Sequence, residues 1–262
     1  MDEAPMLYIG EEVGSLNGPE VDVAVDPLEG TDLVAKGLNN AMSVIAVANE
    51  GNLLHAPDMY MEKLAVGPAL VGVLSISDPL EITLIKAAEK LNKKVSDLTV
   101  MILDRARHEE KIQTLRKIGV RIKFLSDGDV AGAMAPAFPG AGIDLYVGSG
   151  GAPEGVLAAA ALKCLGGELQ SRLIPADGIE YDRCLQMGIE NPYKVLSMED
   201  MIGKEDVIFA ATGITPGEFL GGVKYYPDER AETHSIVMRA KTKTIRFIRT
   251  LHYLPNKPLI HK

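Results

Sequence analysis

From Leu98 to Leu165 the sequence alternates between strand-like and helix-like segments, and nothing else constrains its fold as strongly. Leu98 to Leu103, Arg121 to Leu125 and Ile143 to Val147 are short apolar runs of strand character. Arg107 to Ile118, Asp129 to about Ala135, and Pro153 to Leu165 have helical spacing. Alternation at this spacing predicts βαβ units and a parallel or mixed sheet. Ligands of such sheets gather at the carboxyl ends of the strands. A further helix opens at Asp78-Pro79, with proline at the favoured first position, and runs to about Asn92.

The flanking regions read differently. Val21 to Val25 alternates as a strand and stops at Asp26-Pro27, and Ala41 to Val47 is a second strand. Glu50-Gly51-Asn52 then predicts a hairpin-like turn. Towards the C-terminus, Val207 to Gly213, Ser235 to Ala240 and Thr244 to Arg249 read as strands. Glu218 to Glu232 reads as a Gly- and charge-rich excursion. The change of character divides the chain into a first lobe, 1–95, and an α/β lobe, 96–262. No internal repeat or low-complexity segment is found.

Composition excludes several classes. With 262 residues, 47% of them hydrophobic, the chain can bury a sizeable core. A net charge of −9 and a pI near 5.1 argue against a nucleic-acid partner. The densest cationic stretch, Arg239 to Arg246, alternates as a solvated strand face would. Cys164 and Cys184, the two cysteines, have no CxxC spacing, so neither a disulfide framework nor a zinc site is expected. The longest apolar stretch, Val156 to Leu162, is too short to span a membrane. The acidic start, Met1-Asp2-Glu3, is unlike a signal peptide. A cytoplasmic protein is expected. His55, His108, His234, His252 and His261 lack ligand spacing and are read as loop or surface residues.

Chemistry-bearing residues cluster at strand ends. Asp26-Pro27-Leu28-Glu29-Gly30-Thr31-Asp32 offers carboxylates suited to a hard divalent cation. Its Gly-Thr turn supplies amides suited to phosphate, although a polar turn capping a helix would look the same. Gly148-Ser149-Gly150-Gly151-Ala152-Pro153-Glu154-Gly155 reads as a Gly-rich turn between a strand and an Ala-rich helix, with Glu154 in the first helical turn. Arg105 and Arg107 bracket a helix start and can grip a phosphate, or be solvated. Ser126-Asp127-Gly128-Asp129 suits sugar hydroxyls or a helix cap. Tyr60, in Ala56-Pro57-Asp58-Met59-Tyr60, is a half-buried aromatic or a ligand contact.

Taken in order, these segments resemble the bacterial class II fructose-1,6-bisphosphatases over essentially the whole chain. The resemblance rests on Met1 to Glu11, Val23 to Thr31, Ala56 to Met61, Asp127 to Ala133, Gly148 to Val156 and Phe209 to Gly213. It implies a layered α-β-α-β-α sugar-phosphatase fold and Mn2+- or Mg2+-dependent hydrolysis at carbon 1 of fructose 1,6-bisphosphate, with sedoheptulose 1,7-bisphosphate an additional candidate. Carried over, Asp26, Glu29 and Glu154 are metal ligands. Asp26 and Thr31 are catalytic, Thr31 by positioning or activating water. Glu29, Gly30 and Thr31 contact the reacting phosphate. Tyr60, Arg105, Ala106, Arg107, Asp127, Gly128, Asp129 and Gly151 bind the sugar and its distant phosphate. A homodimer or homotetramer is also implied.

Family members usually begin about sixty residues earlier, a sub-domain-sized difference. The resemblance therefore implies an N-terminally truncated fold without the upstream acidic ligands. The alternative is an impaired fragment that only binds sugar phosphate. An inositol-monophosphate-type phosphatase shares the DP-acid-GT turn, but the absence of tryptophan argues against it.

Overall fold

The computed structural model describes residues 10–15 and 17–257, so most of the Met1 to Glu11 motif, and His261, lie outside the described residues. In chain order the first elements are β1 (Val21–Glu29), α1 (Thr31–Ala35), β2 (Met42–Asn49), β3 (Tyr60–Val66), α2 (Leu80–Leu91), β4 (Thr99–Leu103), α3 (Glu109–Ile118), β5 (Arg121–Leu125) and α4 (Asp129–Met134). Then come β6 (Leu145–Gly151), α5 (Ala152–Leu165), β7 (Glu168–Leu173), α6 (Gly178–Gln186), α7 (Met198–Ile202), β8 (Val207–Gly213), β9 (Lys224–Tyr226), β10 (Arg230–Arg239) and β11 (Thr244–Tyr253).

The strands form two sheets. The first is antiparallel, ordered β1-β2-β8-β10-β11, with β9 added along β10. The second is mixed, ordered β5-β4-β6-β3-β7, with β5, β4 and β6 parallel and β3 antiparallel to both its neighbours. This is the α/β architecture expected from the alternation. Neither sheet keeps to one side of residue 95. β3 lies within the second sheet, while β8 to β11 complete the first.

Helix α5 explains the stacking. It is apolar all round, and Val156 through Leu162 are buried without a break. It packs against strands of both sheets, and its run of alanines (158–161) lets them approach closely. A second core lies beyond the second sheet, where Leu84 of α2 and Ile112 and Leu115 of α3 meet Leu64 and Val100. The described residues thus supply the β-α-β-α part of the expected layer order. The outer face of the first sheet exposes Val21, Val23, Ile45 and Ile208.

Several local expectations are corrected. β1 does not stop at Asp26-Pro27 but runs to Glu29, because proline is tolerated in an edge strand. β2 has β1 and β8 as neighbours, so the turn after it is not a hairpin. β6 extends through Gly148 to Gly151, so these glycines are strand, not turn. Arg239 to Arg246 is a hairpin, with Arg239 opposite Thr244, and the 218–232 excursion contains β9 and the start of β10.

Candidate active site

Asp26 and Glu29 are three residues apart, which in a regular strand puts their side chains on opposite faces. β1 avoids this with a bulge. Asp26 pairs with Val44 and Glu29 with Met42, so Pro27 and Leu28 together oppose one residue of β2. Both carboxylates therefore share the inner face with buried Val44 and Met42. The Leu28 amide donates to Asp26 Oδ1 at 2.9 Å, and the Val130 amide donates to Glu29 Oε1 at 2.8 Å. Glu154 reaches the same place from the first turn of α5. One ligand oxygen from each of Asp26, Glu29 and Glu154 lies within 4.8 Å of the others. Three hard oxygen donors at this spacing fit one divalent cation. Burial, then the hydrogen-bonded Asp26 carboxyl, raises the Glu29 carboxyl well above its ordinary pKa. Burial also raises Glu154, although nearby Lys63 opposes it.

Two glycines shape this corner. Gly30 turns the chain from β1 into α1 with φ of 85°, and a Cβ there would stand 2.7 Å from Leu33 Cδ1. Thr31 follows, exposed, as the first residue of α1. Gly151 precedes α5, and a Cβ there would stand 2.0 Å from Glu154 Oε2.

Next to the carboxylates lies a buried polar network. Lys63, 1% exposed on β3, donates to Asp129 Oδ2 and, at 2.7 Å, to the Gly151 carbonyl. Tyr146 donates its hydroxyl to Asp129 Oδ1. Burial, then the Asp129 charge, pushes the Tyr146 phenol well up, so it stays a donor. Asp129 was expected to bind sugar, yet it is buried and held by Lys63 and Tyr146. A buried carboxylate needs such partners. Gly128 enters α4 with φ of 90°, and Asp127 accepts the Asp32 amide at 3.3 Å.

The arginines converge from the turn after β4. Arg105 pairs with Asp127 at 3.2 Å and with Asp32 at 3.5 Å. Exposed Ala106 lies between the two arginines in a single 3-10 turn. Arg107 donates from Nη2 to the Ser149 carbonyl at 2.7 Å, and its guanidinium lies 4.8 Å from the Tyr60 ring centroid. Tyr60, half exposed, pairs with Gly151 across β3 and β6. His108 is not the loop or surface residue expected. It is 1% exposed and bonded to Leu103 and Ser149. His55 is exposed, while His234 and His252 are half-buried in the β10–β11 hairpin. Cys164 and Cys184 are buried and free, and burial pushes the Cys164 thiol up to about 12.

The structure therefore brings together Asp26, Glu29 and Glu154, and separately Tyr60, Arg107 and the β6 end. Lys63, Tyr146, Ser149 and His108 belong to these clusters but were not singled out from the sequence. A lysine inside the apolar Tyr60–Val66 run was the available signal for the first of them.

An α/β fold that focuses three carboxylates between a strand bulge and a helix start, beside an arginine-bearing turn, has the build of a metal-assisted phosphatase. Comparison with known proteins defines the family. The sequence model described as bacterial fructose-1,6-bisphosphatase, glpX-encoded, matches residues 1–252. Fructose-1,6-bisphosphatase class 2 of Haemophilus influenzae is 44% identical over 267 residues, covering 97% of this chain and 80% of that protein. Fructose-1,6-bisphosphatase 1 class 2 of Escherichia coli K12 is 44% identical over 270 residues, covering 98% of this chain and 80% of its own length. D-fructose 1,6-bisphosphatase class 2/sedoheptulose 1,7-bisphosphatase of Synechococcus sp. (strain JA-3-3Ab) is 44% identical over 275 residues, covering 96% and 79%. The chain belongs to the bacterial class II fructose-1,6-bisphosphatases, which are phosphoric monoester hydrolases. Among the described residues, no helix is long and apolar enough to cross a membrane.

Proposed function

We propose that this chain hydrolyses the 1-phosphate of fructose 1,6-bisphosphate, yielding fructose 6-phosphate and inorganic phosphate, with sedoheptulose 1,7-bisphosphate as a second substrate. The reading is carried by Asp26, Glu29 and Glu154, whose oxygens lie within 4.8 Å of one another. They are the ligands for Mn2+ or Mg2+. When bound, such an ion neutralises phosphoryl oxygens and acidifies water. The protein's own groups do the positioning that phosphoryl transfer chiefly needs.

The Gly30 turn, with the Thr31 hydroxyl and amide, orients the attacking water and the reacting phosphate. Water oxygen bonds to phosphorus, and the bond from phosphorus to the C1 oxygen breaks. Arg105, Ala106 and Arg107 receive the distant phosphate, where Arg105 exchanges its Asp32 and Asp127 partners for the anion. Tyr60, Asp127, Gly128 and Gly151 line the sugar. Asp129 acts from behind, through Lys63 and the Gly151 carbonyl. We further propose a cytoplasmic homo-oligomer. The buried free thiols fit a reducing compartment.

The test is phosphate release from fructose 1,6-bisphosphate by the folded chain, with Mn2+ and with chelator. Mn2+-dependent release is expected, with Glu154→Gln lowering it about tenfold to a hundredfold at limiting metal. Unchanged turnover in Glu154→Gln would overturn the ligand assignment. Faster hydrolysis of inositol phosphate would overturn the substrate, and saturable bisphosphate binding without turnover would establish the fragment reading instead.

A further inference from the structure

The His108 ring is bonded on both sides by groups that dictate where its proton sits. Nδ1 is 2.9 Å from the Leu103 carbonyl, an acceptor, so Nδ1 carries the hydrogen. Nε2 accepts the Ser149 amide at 2.8 Å, so Nε2 carries none. The Ser149 hydroxyl lies 3.0 Å from the same nitrogen. Ser149 is also the residue that holds Arg107. Its carbonyl accepts from Nη2 at 2.7 Å and from Nε at 3.2 Å, and its hydroxyl accepts from Nε at 3.2 Å. Arg107 in turn lies over Tyr60. The ring also presses on the glycine before Ser149, since a Cβ on Gly148 would stand 3.2 Å from His108 Cε1. One unbroken chain of contacts therefore runs from His108 through Ser149 and Arg107 to Tyr60.

We propose that neutral His108 is a positioning residue. Its Nδ1–H tautomer sets Ser149, and through Ser149 the Arg107–Tyr60 side of the sugar-phosphate site, so that protonation of the ring loosens the grip on substrate. The proposal rests on the reading of Arg107 as a substrate contact. A proton on Nε2 would face the Ser149 N–H, donor against donor, and would leave that buried amide without an acceptor. It would also add a positive charge beside Arg107.

The groups facing the ring make the neutral form the resting one. Burial holds its pKa below the ordinary imidazole value, and Arg107 and Lys111 push the same way. The Leu103 carbonyl on β4 and Asp129 on α4 push up, but less than burial pushes down. The Tyr146 hydroxyl on β6 is already committed to Asp129. The contacts from β6 are the Ser149 amide, which donates and so accepts no proton from the ring, and the Ser149 hydroxyl, whose oxygen already accepts from Arg107 Nε.

The test has two independent arms. Long-range 1H–15N spectra of the ring at pH 8 are expected to show the Nδ1–H tautomer, and an Nε2–H tautomer would overturn the proposal. The second arm is calorimetric binding of fructose 1,6-bisphosphate in metal-free buffer from pH 5.5 to pH 8. Titration of the substrate phosphates is common to every variant, so the difference from wild type is read. His108→Gln retains an acceptor but cannot titrate, and should remove roughly a two- to tenfold weakening at the acid end, the worth of one hydrogen bond. His108→Ala should weaken binding at pH 8, with His108→Gln binding more tightly than His108→Ala. A His108→Gln profile parallel to wild type would overturn the proposal. If Arg107→Ala binds as tightly as wild type, or wild type takes up no bisphosphate, the reading of the site fails instead, and the ring spectra still decide the tautomer.

Discussion

The Glu154 carboxylate folds back over Gly151, three residues before it, so closely that a Cβ on Gly151 would stand 2.0 Å from Glu154 Oε2. The glycine is thus what lets the first turn of α5 present its carboxylate to Asp26 and Glu29. The obstructing atom is the far end of a flexible side chain, and the Gly151 φ of −62° suits any residue. Gly151→Ala should therefore leave the fold intact but swing Glu154 away. Mn2+ affinity measured by calorimetry should fall about tenfold or more, while the melting temperature without metal changes little. A variant that binds Mn2+ like wild type would show that Glu154 is not held by this contact.

How far the sequence foretold this site can be read from particular residues. Asp26 and Glu29 stood out as carboxylates beside a Gly-Thr turn, although a helix-capping turn reads the same, and Glu154 entered as a ligand only through the family resemblance. That Asp26 and Glu29 share a face was not, since it depends on a bulge defined by pairing to β2. Pro27 read as a strand breaker because nothing local marks β1 as an edge. His108 read as a loop residue, because the Ser149 amide that bonds its ring lies 41 residues on. Lys63 lies 66 residues from the aspartate that pairs with it. Both strands of the β10–β11 hairpin were legible, but the start of β10 was not, because its charged residues read as part of an excursion.

Glu29 and Glu154 also bear on stability. Their carboxyls are raised by burial in the folded chain, so the native state holds protons that the unfolded chain gives up near pH ~4.3. The native state therefore binds more protons above that pH, and their contribution falls as pH rises through the raised pKa values. Asp200, held at about 2 chiefly by Lys194, is ionised throughout and adds no slope between pH 5 and 7.5. Chelated protein should lose stability across this window relative to the Glu29→Gln/Glu154→Gln variant. Added Mn2+ should restore wild type but not the variant, by about 2.7 kcal/mol at a hundredfold excess over Kd. Urea titrations at both pH values check this, and equal slopes in the two proteins would count against it.

Tyr60 separates stacking from hydrogen bonding. Its ring lies under the Arg107 guanidinium at 4.8 Å, an exposed cation–π contact worth about 0.5–1 kcal/mol. Tyr60→Phe keeps the ring and should change KM less than Tyr60→Leu, which should raise KM roughly two- to fivefold through a less fixed Arg107. If Phe and Leu raise KM equally, the hydroxyl, not the ring, is what matters.

The Lys63–Asp129 pair is the costliest arrangement near the site, with the lysine side chain 0% exposed and that of Asp129 9% exposed. Removing one partner strands the other charge in the interior, at about 3–5 kcal/mol. Lys63→Met should therefore be strongly destabilising, because Tyr146 alone then faces the buried carboxylate. Asp129→Asn in the same chain removes that charge while keeping an acceptor for Tyr146, and should recover much of the loss. Activity should not recover with stability. Lys63 also donates to the Gly151 carbonyl, which a methionine cannot replace, and Gly151 fixes where Glu154 begins. The double variant should thus fold well, yet bind Mn2+ about tenfold or more weakly. Urea unfolding and metal titration on wild type and the two variants check both halves. Wild-type metal affinity in the double variant would reduce Lys63 to a partner of Asp129 alone, with no bearing on the carboxylate cluster.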